Sequence, residues 1–224
     1  MHRNLSISVV IPCYNEEDGV RQVLERIPKV VDEVVVVDNN CTDRTAEVAR
    51  SLGAVVVAEK TPGYGAAYKR GLKAATKDVI VTLDGDGTYP PEEIPRLVDE
   101  MVDRNWDFLS ASRFPLTDPT AMHLTNRLGN WVLTVAAAVL YFKPIRDSQS
   151  GMWVFRRSTL DRMRLTSDGM PFSEEIKLEA LLRGLRFGEG HIPYGARVGE
   201  VKLDKWRDGW LNLTFLVKKR FGAV

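Results

Sequence analysis

Four short runs of β-branched residues alternate with helical segments in the first 84 residues, and this alternation constrains the fold more than any other feature. The runs are SISVVIPCYN (6–15), DEVVVVDNN (32–40), AVVVA (54–58) and DVIVTLD (78–84). The first two end in polar and turn-forming residues, as buried parallel strands do. Strands joined by helices predict an α/β fold, with a parallel sheet and helices on both of its faces.

The segments between these strands carry helix signals. Apolar residues recur at helical spacing between 20 and 27, and further helices are expected over about 42–52 and 63–75. Thr42 is expected to cap the second of these helices, and Gly53 is expected to end it.

The chain beyond residue 90 is less regular. It predicts helices near 91–104, around 120–142, from Ser173 onwards and at the C-terminus, and strands at 107–112, 151–157 and, as two short pieces, between 185 and 203. The sequence contains no internal repeat and no linker. At 224 residues, 44% of them hydrophobic, it fits one large domain or two tightly fused halves.

Charge is unevenly distributed along a chain whose net charge is only +1. Residues 1–112 carry a net −6 and residues 113–224 a net +7, which suggests halves with different partners. The near-neutral total and the lack of a nucleic-acid-binding motif argue against a nucleic-acid partner.

Cysteine usage and apolar segments bear on the compartment. Cys13 and Cys41 give no disulfide framework, so a reducing cytoplasm is the expectation. The N-terminus shows no secretory signal. The longest lipophilic stretch, residues 131–142, is shorter than the roughly twenty residues that span a bilayer.

Two aspartates end the fourth run, in VTLDGDGTYPPEE (81–93). Side chains alternate along an extended segment, so Asp84 and Asp86 are expected on one side, where each carboxylate raises the pKa of the other unless a cation lies between them. Hard oxygen ligands with room for water suit Mg²⁺ or Mn²⁺ carrying a diphosphate. A solvated turn is the alternative interpretation.

Ligands of open α/β sheets bind beyond the carboxyl ends of the strands. The polar residues expected there are Tyr14, Asn15, Glu16, Asp38, Asn40, Asp84 and Asp86.

The segment GYGAA (63–67) imitates a dinucleotide fingerprint, because it follows a strand and opens a helix. The spacer EKTP (59–62) stands where that fingerprint needs a tight turn, which weakens the interpretation. An NAD-binding oxidoreductase is therefore the alternative from another functional class. If GYGAA is not such a fingerprint, its glycines are expected to let the backbone approach a bound nucleotide or a neighbouring strand closely.

Taken in order, VVIPCYNEE, VVVVDNNCTDRT, GYGAAYKRGL and TLDGDGTYPPEEIPRL resemble family-two glycosyltransferases with the GT-A fold. The resemblance is strongest to the polyprenyl-phosphate hexosyltransferases. It implies a single Rossmann-like domain with a mixed, mainly parallel sheet. Within that domain it implies a donor half (1–112), an acceptor half (113–204) and a C-terminal amphipathic helix (205–224).

The resemblance assigns a donor site. Asp84, Gly85 and Asp86 correspond to the metal and diphosphate site, and Thr88 stands where the family has a further metal ligand, a glutamine. The residues that correspond to the nucleoside site are Pro12, Tyr14, Glu16 and, at the base, Asp38.

The resemblance also assigns acceptor-phosphate contacts to Arg113, Arg127, Arg197 and Lys202. Arginine grips phosphate in a bidentate fork. Within the family, Glu175 is the candidate general base, although acidic residues also favour the first turn of a helix. A phosphate acceptor, with a second pKa of about 6, needs no base.

The C-terminal segment KWRDGWLNLTFLVKKRF (205–221) interleaves aromatic and basic residues. Such a helix either lies on an anionic membrane surface or packs on its own core. Residues 131–142 are likewise either a buried helix or an interfacial patch.

These features together predict a Mg²⁺- or Mn²⁺-dependent inverting hexosyltransferase, with a nucleotide-sugar donor and a polyprenyl-phosphate acceptor, on the cytoplasmic membrane face. The alternative within the same class is a transferase that uses a soluble hydroxyl acceptor and Glu175 as its base. A binding module without turnover is the third possibility.

Overall fold

A computed structural model describes residues 1–199 and 205–222. Its strands are β1 (Ile7–Cys13), β2 (Glu33–Asp38), β3 (Val55–Ala58), β4 (Val79–Thr82), β5 (Phe108–Ser112), β6 (Trp153–Arg156) and β7 (Phe187–His191). Its α-helices are α1 (Glu17–Glu25), α2 (Thr45–Ser51), α3 (Tyr64–Ala74), α4 (Ile94–Asp103), α5 (Leu124–Tyr141), α6 (Phe172–Leu182) and α7 (Lys205–Arg220).

Seven strands of the described residues form one sheet in the order β3-β2-β1-β4-β6-β5-β7. The first four strands are parallel, as the sequence predicts. β6 runs antiparallel to both β4 and β5, whereas β5 and β7 are parallel. The single domain with a mixed, mainly parallel sheet is thereby confirmed. Of the two short strands expected between 185 and 203, the described part holds one, β7.

β1 and β4 are buried on both faces because helices cover each face of the sheet. Val9 of β1 packs with Val20 of α1 in one apolar cluster, together with side chains of α2 and α4. The next residue, Val10, points the opposite way and packs with Tyr68 of α3 and Ile176 of α6 in a second cluster. Full burial of a side chain of this size contributes roughly 1.5–3 kcal/mol.

The predicted starts of two helices differ from the structure. α2 begins at Thr45 rather than after Thr42, because the Asp43 carboxylate accepts hydrogen bonds from the Thr45 backbone N–H at 3.0 Å and from its hydroxyl. Ser173 lies inside α6, whose first residue is Phe172, and its hydroxyl donates to the Met170 carbonyl at 3.2 Å. Gly53 ends α2 as expected, with φ +85°.

α5 and α7 pack together outside the helix layers of the sheet. Ala137 and Tyr141 of α5 form a small apolar cluster with Leu178 of α6 and Leu216 of α7. The Tyr141 hydroxyl donates to the Leu216 carbonyl at 2.8 Å. None of the helices in the described residues has the length and apolarity needed to cross a membrane.

Candidate active site

A cavity of about 550 Å³ opens at the carboxyl edge of β1, β2 and β4. Because these strands are parallel, the residues that follow each of them meet at this edge. β6 runs the other way, so the residues that precede it reach the same edge. The residues that line the cavity are Pro12, Cys13, Tyr14, Glu16, Asn39, Asn40, Pro62, Gly63, Tyr64, Ala67, Asp84, Gly85, Asp86, Tyr89, Arg113, Gln149, Met170, Ser173, Tyr194, Arg197 and Asp208.

Asp84 and Asp86 both face this cavity, as the sequence predicts. The Asp84 carboxylate accepts hydrogen bonds from the hydroxyls of Tyr64 and Tyr68, at 3.2 and 3.1 Å. Asp86 is 2% exposed, and one of its oxygens accepts from the backbone N–H and the hydroxyl of Thr88, at 3.0 and 2.7 Å. Thr88 therefore orients the second carboxylate.

The electrostatics of this pair favour a bound cation. Burial and the negative charge of Asp86 raise the pKa of Asp84 to about 7, although the tyrosine hydrogen bonds and the charge of Arg197 act in the opposite direction. Arg197 brings its guanidinium to 2.6 Å from the second Asp86 oxygen and 3.4 Å from Glu16. A positive charge at this point relieves the repulsion between the two carboxylates.

Close backbone packing fixes the turn that carries the two aspartates. A Cβ on Gly85 would meet the Cys13 sulfur at 2.7 Å. A Cβ on Gly19, in α1, would meet the Gly85 carbonyl oxygen at 2.3 Å and the Asp86 Cα at 3.1 Å. Glycine at both positions lets α1 and β1 approach the turn.

Residues at and after the carboxyl ends of β1 and β2 also line the cavity. Pro12, Tyr14 and Glu16 line it, as expected. Asp38 is not among the lining residues, because its carboxylate turns back to accept a hydrogen bond from the Cys41 backbone N–H at 2.9 Å. Asn39 and Asn40 line the cavity instead.

The glycines of GYGAA have structural partners. A Cβ on Gly63 would meet the Asp168 carbonyl oxygen at 2.2 Å, and one on Gly65 would meet that of Ser167 at 2.3 Å. Close backbone approach is therefore their role, as expected, but the neighbour is the 167–169 segment rather than a strand.

These features agree with the comparisons to known proteins. Residues 8–164 match the family described as Glycosyl transferase family 2. The chain belongs to this family. Membership weighs against the oxidoreductase alternative.

This chain has relatives whose names refer to dolichyl or dolichol phosphate. It is 35% identical over 206 residues to the dolichyl-phosphate hexose transferase of Haloferax volcanii, covering 91% of this chain and 89% of that protein. It is 34% identical to the low-salt glycan biosynthesis hexosyltransferase Agl6 of the same organism and 29% identical to the dolichol-phosphate mannosyltransferase of Pyrococcus furiosus. The matches cover 95% and 89% of this chain, but only 53% and 59% of those two proteins.

A solved structure supports the fold. Glucosyl-3-phosphoglycerate synthase from Mycobacterium tuberculosis, in complex with Mg²⁺ and uridine diphosphate, superposes with a TM-score of 0.78 at 22% identity. The match covers 98% of this chain and 80% of that one. The transferase thus has the GT-A architecture that its sequence resembles.

The three arginines predicted to contact the acceptor phosphate lie in three different environments. Arg113 lines the cavity, and its guanidinium grips Asp147 in a buried bidentate pair at 2.7 and 2.8 Å. Arg197 lines the cavity beside the Asp86 carboxylate. Arg127 lies on α5, outside the cavity lining. Lys202 lies outside the described residues.

Glu175 does not reach the cavity. It is 0% exposed and accepts hydrogen bonds from the backbone N–H groups of Thr166 and Ser167, while Lys219 lies 3.0 Å away. The predicted general base is thus held in a buried ion pair. Its neighbour Glu174 accepts a hydrogen bond from the Gln149 side chain, and burial raises the pKa of Glu174 to about 8.

Sequence patterns did not identify several of the lining residues. Gln149 lies in the polar segment that precedes β6. This segment reaches the cavity because β6 runs antiparallel to β4. Tyr89 lines the cavity and accepts a hydrogen bond from the Gly151 N–H at 2.7 Å. Asp208 reaches the cavity from α7. The polar run DSQS before the sixth strand was the one available signal.

Proposed function

We propose that this transferase moves a hexose from a nucleoside-diphosphate sugar to a polyprenyl phosphate, with inversion at the anomeric carbon. The observation that carries the proposal is the pair Asp84 and Asp86, which faces a cavity large enough for a nucleotide sugar. The names of the polyprenyl-phosphate relatives support the acceptor class.

The two carboxylates fit Mg²⁺ or Mn²⁺. Both are oxygen ligands, and the raised pKa of Asp84 marks a place where added positive charge is favourable. The described residues hold no group of three or more His, Cys, Asp or Glu that could bind a metal, so diphosphate and water oxygens would complete the coordination. A divalent ion held there supplies positive charge that stabilises the departing diphosphate.

The nucleoside is expected at the β1 and β2 end of the cavity. Pro12, Tyr14 and Glu16 line this end, and Asn39 and Asn40 complete it. We assign Asp38 an indirect role in base recognition, because its carboxylate holds the turn that presents the two asparagines.

The acceptor phosphate is expected on the side of Arg113. This guanidinium already grips Asp147, so its position and charge are fixed before any ligand arrives. Arg127 and Lys202 are proposed as further phosphate contacts, and Arg197 is proposed to bridge donor and acceptor phosphates. Opposed placement of the two substrates leads to in-line attack and inversion.

A phosphate acceptor also agrees with the position of Glu175. A hydroxyl acceptor requires a base at the cavity, and Glu175 is buried in hydrogen bonds and an ion pair. A phosphate is already largely ionised at neutral pH and needs no such base. Because a polyprenyl chain resides in a bilayer, we place the reaction at a membrane, on its cytoplasmic face.

The test is a transfer assay with radiolabelled UDP- and GDP-hexoses and a polyprenyl phosphate. We expect label in the lipid extract, dependent on Mn²⁺ or Mg²⁺, and at least about a hundredfold less with Asp86→Asn. Label in a water-soluble product, or transfer that Asp86→Asn leaves unchanged, would contradict the proposal.

A thermal-shift panel separates the functional classes. UDP or GDP with Mn²⁺ should raise the melting temperature, whereas NAD should not, because only a ligand of the native state stabilises it. Stabilisation by NAD alone would favour the oxidoreductase.

A further inference from the structure

Exposed apolar side chains are concentrated on two helices. Of the large hydrophobic residues that are exposed, α5 with the residue after it contributes Leu124, Leu128, Trp131, Val132, Val135, Val139 and Phe142, and α7 with the residue after it contributes Trp206, Trp210, Leu211, Val217 and Phe221. We call these residues the helix-pair surface. Phe142 is 82% exposed and Trp206 is 90% exposed, the extent expected of a free surface rather than a core edge.

Helical phase explains why these residues form stripes. At 3.6 residues per turn, the α5 set repeats every three or four positions and lies on one face of that helix. The opposite face, with Leu133 and Ala137, is buried. In α7, Trp206, Trp210 and Val217 share one side, whereas Asn212 and Leu216 are buried on another.

Charge around the helix-pair surface is basic. α5 contains no acidic residue, and the one acidic residue of α7, Asp208, lines the cavity. Four exposed cationic side chains lie just after α5 or within α7, namely Lys143, Arg207, Lys218 and Arg220. An apolar stripe bordered by lysine and arginine is the arrangement of helices that lie in the headgroup region of a bilayer.

We propose that the helix-pair surface docks on a bilayer that contains anionic lipid. Two copies of this chain paired through the same surface would bring basic residues against basic residues, which disfavours a symmetric dimer. An anionic bilayer meets both requirements of the surface, apolar depth and negative charge.

The same helices hold one wall of the cavity. The Asn130 side chain of α5 accepts a hydrogen bond from the Gln149 backbone N–H at 3.2 Å. The Asn212 side chain of α7 donates to the Gln149 side-chain oxygen at 3.3 Å. Docking therefore places the lipid surface on the far side of the two helices that contact cavity-lining Gln149. This inference rests on the proposed function in one respect, which is that the proposed acceptor is a lipid of the bilayer.

The experiment is co-flotation of the full chain with vesicles of phosphatidylcholine alone or with about 30% phosphatidylglycerol. Trp131→Ser/Val139→Ser and Trp206→Ser/Trp210→Ser remove apolar contacts, and Lys143→Gln/Lys218→Gln removes charge. Leu52→Ser/Leu182→Ser is the matched control, because both leucines are exposed elsewhere, at 40% and 48%.

We expect binding to anionic vesicles to exceed binding to neutral ones at least about tenfold and to fall with salt. Each apolar pair and the charge pair should lower it by a similar factor, with melting temperatures unchanged, and the control should bind as the parent does. Equal binding by all variants would overturn the proposal. So would a concentration-dependent dimer that the same serine substitutions abolish.

The transfer assay and the flotation assay fail independently. Vesicle binding without any stabilisation by UDP or GDP would contradict the proposed function and leave the docking surface in place. Nucleotide binding and lipid-linked product without vesicle binding would contradict the docking surface alone.

Discussion

At the scale of single residues, the two aspartates of the cavity are held differently. Asp84 receives hydrogen bonds from two tyrosine hydroxyls, which belong to α3. One oxygen of Asp86 is oriented by the neighbouring Thr88 in a local turn, and the other pairs with the distant Arg197. Asp84 therefore depends on tertiary packing, and Asp86 depends on both the sequence D-G-T and tertiary packing.

Thr88→Val should weaken Mn²⁺ binding about tenfold, because it removes the hydroxyl that orients Asp86 and keeps the side-chain shape. Calorimetric titration of Mn²⁺ in the presence of UDP or GDP measures this. Thr120→Val is the matched control, since Thr120 makes the same two hydrogen bonds to Asp118 on an exposed turn. An equal loss in both variants would show that the effect is not local to Asp86.

At the scale of elements, Gly19 lets α1 lie against the turn that carries Asp84 and Asp86. Gly19→Ala should lower Mn²⁺ and nucleotide affinity at least about tenfold, because its Cβ would displace the backbone of Gly85 and Asp86. Gly129→Ala, in α5, adds a methyl group with no atom within 4 Å.

Gly129→Ala should leave affinity unchanged and raise the free energy of unfolding by about 0.5–1 kcal/mol. Calorimetry measures the ligand affinities of Gly19→Ala and Gly129→Ala, and urea unfolding measures their stabilities. Unaltered affinity in Gly19→Ala would mean that the turn tolerates the displacement.

A buried ion pair fastens α7 to α6. Lys219 lies 3.0 Å from Glu175 and 2.9 Å from Glu179, and all three side chains are buried. Lys219→Met should lower the free energy of unfolding by about 3–5 kcal/mol, because it removes the cation paired with Glu175 and leaves Glu179 with Arg183.

Lys218→Met, the exposed neighbour, should change the free energy of unfolding by less than about 0.5 kcal/mol. Urea unfolding of both variants is the measurement. Equal values would show that α7 is held by its apolar contacts alone.

At the scale of the whole molecule, a buried polar cluster connects the cavity wall to the helices behind it. Gln149 links Glu174 of α6 and Asn212 of α7, and Lys177 donates to the carbonyls of Asp147 and Ser148 at 3.0 and 2.6 Å. Burial lowers the pKa of Lys177 to about 7. Titration in this cluster therefore affects global stability.

Glu174 should make stability fall as pH rises. Its pKa is about 8 in the folded chain and 4.5 ordinarily, so between these values the native state binds a proton that the unfolded state has released. This contribution is complete below pH 4.5 and is lost as pH passes about 8. From about pH 5 to 6.5, where Lys177 is still protonated, the contribution of Glu174 to the free energy of unfolding falls by at most about 1.4 kcal/mol per pH unit.

Glu174→Gln should make that slope shallower by up to about 1.4 kcal/mol per pH unit, which urea unfolding at about pH 5 and 6.5 measures in both proteins. The slope that Asp84 contributes remains in both proteins, because the pKa of Asp84 is raised as well. Glu47→Gln, at an exposed position of α2, is the control and should keep the full slope. An undiminished slope in Glu174→Gln would place the titration elsewhere.

The local pattern of the sequence was sufficient for the parallel half of the sheet and for the carboxylate pair. Strand and helix periodicities arise from neighbouring residues, and the ends of parallel strands meet at one edge whatever else the chain does. Asp84, Asp86, Tyr14 and Glu16 were therefore placed at this edge from local periodicity, and the family resemblance added Pro12.

Only the tertiary structure decided which distant groups meet at that edge. The reversed direction of β6 brings in Gln149, a long-range ion pair brings Arg197 to Asp86, and Lys219 holds Glu175 away from the cavity. The inward turn of Asp38 and the exposure of the α5 stripe were likewise decided by packing. Each depends on contacts between segments far apart in the chain, whose free energies no local periodicity encodes.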